Sequence, residues 1–320
     1  LGAYVRHRQY VKNSFHFSVY FIESSAKKHC FFAGVLLQCV PSRTFVVNSR
    51  TFDQPEKEGD AVKVAVLGYG TVGAGVYSML SDAPGMEAGP VLVRPGKAVE
   101  SFMVSDAALI FGDPTVDAVV ETLGGLDPAY SYGMRALEAG KHFITANKAM
   151  VAAHGLELAA LAREKGAAFL FSAACGGGVP FLHNLALSAE TDRIEAVSGI
   201  LNGTTNYMLD AMQRRSLSYG DALREAQSLG YAESDPTADV SGLDALRKMQ
   251  LACAVAFGVL PQSGMLCEGM EHFTAADVED IQSRGLVCRL LARGSRAGES
   301  VSAYVLSLIH ISEPTRLQLI

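Results

Sequence analysis

Residues 62–80 read VKVAVLGYGTVGAGVYSML, and this stretch decides the fold. Val64, Ala65, Val66 and Leu67 make an uncharged apolar run, the pattern of a strand buried on both faces. Gly68, Gly70 and Gly73 follow in GxGxxG spacing, with small residues on the first turns of a helix. Glycine is required at each place for its own reason. The first allows a tight turn, the second lets the backbone approach a pyrophosphate, and the third lets helix pack on strand, with the helix N-terminus facing the phosphates.

A strand, a glycine turn and a helix in that order predict an α/β chain with a Rossmann-type dinucleotide-binding domain, and make Gly68, Gly70, Thr71, Val72 and Gly73 candidate cofactor contacts. The second strand is expected at 90–93 and ends in Arg94, about 20 residues on, where NAD-specific folds commonly place an acid for the ribose 2′-hydroxyl. Arg94 and Lys97 suit a 2′-phosphate instead, which favours NADP and leaves NAD open; solvated loop charges are the alternative. Strand 116–121 (VDAVVE) ends at Thr122 and a Gly124-Gly125 turn, placing Thr122 and Gly124 at the ligand-binding edge. Asp127 and Pro128 mark the start of a helix that Gly140 closes. Strand 142–145 then delivers Lys148 to the same edge, which makes it a ligand-site candidate by position. His142 reads as packing.

Further on, a helix is expected at 153–165 and a strand over AAFLFSAAC, 167–175. The run Gly176, Gly177, Gly178 can fold sharply enough to aim several carbonyls at one point, which suits a monovalent cation; tight chain packing explains it equally well. Cys175 is either the nucleophile of a thioester-forming aldehyde dehydrogenase or a small buried residue. A strand at 193–201 leads to Asn202, Gly203, Thr204, Thr205 and Asn206. Helix capping uses one or two of these, and a polar substrate could take the others. Helix 219–229 ends at Gly230.

Residues 230–248, GYAESDPTADVSGLDALRK, concentrate the charge: Glu233, Asp235, Asp239, Asp244 and Lys248. Pro236 breaks the chain into a turn, and the apolar spacing predicts a helix from about 241. Asp244 and Lys248 then share a helix face. An exposed pair of this kind is a solvated ion pair. Set into a helix that continues as LACAVAF, it must be paired or functional. Carboxylates beside one lysine suit a small zwitterion and a proton transfer to its oxygen.

A net charge of −6 gives no reason to expect a nucleic-acid surface, and no uncharged apolar run reaches the roughly 18 residues of a membrane span. The six cysteines are scattered without metal spacing and read as reduced thiols in a cytoplasmic protein. Residues 1–59 carry eight Lys/Arg against four Asp/Glu, the reverse of the remainder. They are expected to lie outside the fold. A targeting segment, with Lys27 and Lys28 ahead of the apolar run 30–40, and a genuine added segment are the alternatives.

With these residues in place, the chain resembles homoserine dehydrogenase over about 62–305. The resemblance is carried by GYGTVG (68–73), ETLGG (121–125), GKHFITANKAM (140–150), GILNGTTNYML (199–209) and the 230–248 stretch. It implies a dinucleotide-binding domain at 60–150 and an α+β substrate and dimerisation domain with a mixed sheet at 151–305. Residues 306–320 match nothing in the family and are expected to be a foreign tail on a truncated chain. The resemblance further implies that Lys148 and Lys248 are paired catalytic lysines and that Glu233 and Asp244 bind substrate with Asp239 in support; Asn202, Gly203 and Thr204, from the polar 202–206 cluster, are the further substrate candidates. Main-chain oxygens of Ser172, Cys175, Gly177 and Val179 would hold a monovalent cation such as sodium; many members have glutamate at the Ser172 position, a change that removes no main-chain donor. The implied reaction is reversible hydride transfer between NADPH and L-aspartate 4-semialdehyde, giving L-homoserine, in a homodimer.

Overall fold

The structure is a computed structural model that describes residues 61–310, with side chains described through Ser307. The expectations for 1–59, and for the tail beyond 310, fall outside the described residues.

The first layer alternates strand and helix: β1 (Val62–Leu67), α1 (Thr71–Asp82), β2 (Met86–Leu92), β3 (Met103–Val104), α2 (Ala108–Phe111), β4 (Ala118–Glu121), α3 (Ala129–Glu138), β5 (His142–Thr145), α4 (Lys148–Lys165) and β6 (Phe169–Leu170). The strands form one sheet in the order β3-β2-β1-β4-β5-β6, every pairing parallel. Strand order reverses between β1 and β4, so a crevice opens beyond their carboxyl ends. Val64, Val66, Val119 and Val120 are fully buried there, as strands covered on both faces require.

The second layer comprises α5 (Phe181–Thr191), β7 (Ala196–Gly199), α6 (Gly203–Arg215), α7 (Tyr219–Ser228), α8 (Thr237–Val240), α9 (Leu243–Phe257), β8 (Leu266–Cys267), α10 (Ala275–Ser283), β9 (Val287–Ala297) and β10 (Ser300–His310). Its sheet runs β7-β9-β10-β8 and is mixed, with β8 parallel to β10 and the other pairings antiparallel. Helix α9 lies against it at Gly294, where a Cβ would stand 2.4 Å from Cys253 Sγ. Only glycine lets the helix come that close.

The Rossmann-type parallel sheet is what the strand–glycine turn–helix pattern predicts, and the second, mixed sheet is what the family resemblance implies. Three strands differ in extent. β2 begins at Met86, ahead of the expected 90–93, because the register slips between Val64 and Val66 and accommodates Gly89 and Pro90 as an irregularity. The strand expected over 167–175 is confined to Phe169–Leu170, after which Ser172–Ala174 turns as a 3-10 helix. β7 occupies only Ala196–Gly199 of 193–201. The division expected at 150/151 falls inside α4, and the one expected after Val305 falls inside β10, whose pairing continues from Leu306↔Leu291 to His310↔Val287.

Candidate active site

The glycine turn has the geometry its spacing implies. Gly68 adopts φ +100°, and a Cβ on Gly73 would stand 2.0 Å from the Gly68 carbonyl oxygen. Gly70 is the N-cap of α1 and supplies no side-chain acceptor, so the first-turn N–H groups of Thr71, Val72 and Gly73 remain available to an anion. The Thr122 hydroxyl donates to the carbonyls of Leu67 (3.0 Å) and Gly68 (3.3 Å) and ties the end of β4 to this turn. Between them lies a cavity of about 860 Å³, lined among others by Arg94, Lys97, Glu100, Thr122, Leu123 and Tyr132. Gly124 sits in the adjoining turn at φ +75°. A glycine turn with no room for a Cβ at Gly73 and an uncapped helix start fit the pyrophosphate of a dinucleotide.

Beyond this turn, three charged groups meet. Lys148 is the first residue of α4, and its Nζ lies 3.0 Å from Asp244 Oδ1; Lys248 Nζ lies 2.8 Å from Asp244 Oδ2. One carboxylate, 8% exposed, is thus held between two ammonium groups that are 37% and 18% exposed. Asp244 and Lys248 form the expected i,i+4 pair on α9. Lys148 reaches it from the other layer. Lys248 also donates to the Leu201 carbonyl at 2.8 Å, which anchors it more firmly than Lys148.

Asn202 joins this centre to Asp239. Its Nδ2 donates to Asp239 Oδ1 (2.6 Å) and to Asp244 Oδ2 (2.9 Å), and its Oδ1 accepts from the N–H and the hydroxyl of Thr205 (both 2.9 Å). Burial alone would raise the Asp244 carboxyl, but the charges of Lys248 and Lys148 and the hydrogen bonds from Lys248 and Asn202 outweigh it and hold the group below its usual range. Among the described residues, Asp239 has no direct ammonium partner. Burial, reinforced by the charge of Asp244, pushes its carboxyl up despite the Asn202 hydrogen bond. Two neighbouring carboxyls are therefore driven apart in acidity.

The remaining sequence candidates divide. The Thr204 hydroxyl donates to the Tyr231 carbonyl (2.6 Å), and Asn206 bonds Asn202 and Leu290, so the polar 202–206 cluster is engaged internally, with Gly203 opening α6 behind the Asn202 cap. Glu233 is exposed and stands outside this hydrogen-bonded cluster among the described residues. In the glycine run, the Ser172 carbonyl accepts from Cys175 N–H and the Val179 carbonyl from Phe181 N–H, while Gly176 and Gly177 take positive φ. Each carbonyl keeps a second lone pair.

Cys175 is 1% exposed, with its Sγ 4.0 Å from the Lys248 carbonyl. Burial pushes its thiol up to about 12. A nucleophilic cysteine needs an accessible thiol of lowered pKa, so the thioester alternative is corrected: Cys175 is a packed, protonated side chain. The sequence reading singled out no role for Glu121 or Thr145, both fully buried at the carboxyl edge of the first sheet. An acid closing an otherwise apolar strand, AVVE, was the available signal.

Dehydrogenases that use a nicotinamide dinucleotide are the class this crevice and its lysine pair define. Comparison with known proteins narrows it: residues 68–172 match the family model "Homoserine dehydrogenase, NAD binding domain", and residues 180–314 match "Homoserine dehydrogenase". The chain belongs to the homoserine dehydrogenase family. It is similar to the homoserine dehydrogenases of Corynebacterium glutamicum (40% identical over 258 residues) and Synechocystis sp. (38% over 263), each alignment covering 76% of this chain. The match spans 58% and 59% of those relatives' own lengths. Among solved structures, the homoserine dehydrogenase from Thiobacillus denitrificans superposes with a TM-score of 0.70 at 36% identity, over 77% of this chain and 61% of that one.

Proposed function

We propose that this chain catalyses the reversible, NADP-dependent interconversion of L-homoserine and L-aspartate 4-semialdehyde, a step in the biosynthesis of threonine, methionine and isoleucine. The observation that carries the reading is the single carboxylate held by two lysines, Lys148 and Lys248, one from each layer. When bound, the dinucleotide supplies or accepts the hydride at the substrate's C4. As that carbon is reduced, its oxygen develops negative charge and must gain a proton. Lys148 and Lys248 provide the proton and a positive neighbour within a site that partly excludes water. Asp244 sets the spacing of the lysines and, with Glu233 and Asp239, offers carboxylates to the substrate ammonium.

Gly68, Gly70, Thr71, Val72, Gly73, Thr122 and Gly124 would hold the dinucleotide, and Arg94 with Lys97 would take its 2′-phosphate. A monovalent cation on the carbonyls of Ser172, Cys175, Gly177 and Val179 belongs to the same reading. So does a homodimer through the second sheet, whose face turned from α9 carries the half-buried Leu291, Tyr304 and Leu306. The proposed location is the cytoplasm. No helix among the described residues is long and apolar enough to cross a membrane.

The test is L-homoserine-dependent reduction of NADP and of NAD by the chain and by Arg94→Ala. A rate with the parent, and a preference for NADP that falls about tenfold or more in the variant, supports the reading. NADPH binding without any L-homoserine-dependent rate would leave a dinucleotide-binding chain in place of an enzyme.

A further inference from the structure

We propose that Glu121 is a positioning residue, which fixes the turn at 123–125 and, through Thr145 and Asn147, the start of the helix that carries Lys148. The proposal rests on the reading of Lys148 as part of the reacting site.

Glu121 ends β4 and is fully buried, following three apolar residues. A buried carboxylate is costly unless its lone pairs are met, and here they are met by three donors. Oε1 accepts the N–H groups of Leu123 (2.6 Å) and Gly124 (3.1 Å), and Oε2 accepts the hydroxyl of Thr145 (2.6 Å), the residue directly opposite in the β4–β5 ladder. The Thr145 oxygen in turn accepts Asn147 N–H at 2.9 Å. Asn147 caps α4 through Met150 N–H (3.1 Å), and its amide donates to the Gly125 carbonyl (2.5 Å), which returns to the turn that Glu121 holds. The ring is closed, and Lys148 is the next residue along the chain.

The direction of each bond makes the chemistry specific. Thr145 has one hydroxyl hydrogen and gives it to the carboxylate, which leaves its oxygen free to accept from Asn147. In Glu121→Gln an amide facing Thr145 would donate instead, and the threonine hydrogen would lose its acceptor. The linkage to α4 would loosen with no change of side-chain volume.

Four variants of the full chain test this: Thr145→Val, Thr145→Ser, Glu121→Gln and the double Glu121→Gln/Thr145→Val. Measured are kcat and KM for L-homoserine, the dissociation constant of NADPH by fluorescence, and the melting temperature. Thr145→Ser keeps the hydroxyl and is expected to keep kcat within about twofold. Thr145→Val and Glu121→Gln are expected to lose about tenfold or more in kcat, the effect of one lost buried hydrogen bond on a barrier, with KM and the NADPH constant moved less than about threefold. The double variant should fall little below the worse single, because both cut the same chain. A packing role gives the opposite order: the isosteric valine is harmless and serine, which deletes a methyl, is harmful. That result overturns the proposal while the parent stays active. No L-homoserine-dependent rate in the parent overturns the underlying reading and the proposal together.

Discussion

Asn202 is a side chain whose removal has a calculable cost. It is 2% exposed, and both ends of its amide are engaged: two carboxylates on one, two groups of Thr205 on the other. Asn202→Ala removes the cap of α6, worth about 1 kcal/mol. It also strands the Thr205 hydroxyl and takes a donor from Asp239 and Asp244, at about 1–3 kcal/mol for each unsatisfied group. About 4 kcal/mol is expected in all, which for a fold of this size lowers the melting temperature by about 8–16 °C. Asn202→Asp separates the components. It retains the capping oxygen but replaces the donor by a third carboxylate oxygen facing two others at the present 2.6 and 2.9 Å. Repulsion at such distances is about 6 kcal/mol for each pair at an effective dielectric of about 20, and binding a proton relieves it. Calorimetric melts of both variants from pH 8 down to pH 5.5 decide the matter. The Asp variant should regain stability relative to the parent as pH falls, and the Ala variant should not. An Ala variant melting within about 3 °C of the parent, or an Asp variant whose deficit ignores pH, would refute the account of Asn202 as the bridge between the carboxylates.

Asp239 carries a raised carboxyl, so its ionisation costs folding stability above the unfolded value of about 3.9, and the cost disappears as pH falls below it. Asp239→Asn is therefore expected to melt above the parent at pH 8, with the difference closing toward about pH 4. For Asp244 the sign is opposite: its lowered carboxyl stabilises the fold above about pH 3.9 and ceases to do so as pH falls through the still lower folded value. Cys175→Ala should retain L-homoserine turnover, with a packing loss of about 1–2 kcal/mol; alkylation of the folded chain at pH 8, read by peptide mass spectrometry, should mark the exposed Cys267 before the buried Cys175, Cys253 or Cys288. Gly73→Ala forces a Cβ against the Gly68 carbonyl and should weaken NADPH binding about tenfold or more in a fluorescence titration, since the turn must open to admit it.

The glycine turn was legible because its residues are consecutive and their spacing is itself the constraint. The Asp244–Lys248 pair was legible for the same reason, as helix periodicity places i and i+4 together. What spacing cannot supply is the approach of Lys148 to Asp244, which depends on how the two layers meet. Nor can it say whether Asn202 and Thr204 face a substrate or each other; their amide and hydroxyl chemistry suits both, and the fold assigns them to Asp239, Asp244 and the Tyr231 carbonyl. The alanine-rich run after Leu170 was apolar enough for a strand, yet it turns into a 3-10 helix ahead of Gly176 and Gly177. Pro90 marked a place in β2 where the ladder breaks, and sequence alone read it as the strand's beginning.

The central claim is that two lysines gathered on Asp244 serve the oxygen of L-homoserine. The measurement that tests it most directly is the L-homoserine-dependent rate of NADP reduction in the full chain beside Lys248→Ala, with NADPH binding measured on both. The account predicts a rate in the parent, a loss of about a hundredfold or more in the variant, and unchanged cofactor affinity. A variant that keeps its rate, or a parent that binds NADPH and turns over no L-homoserine, would contradict it.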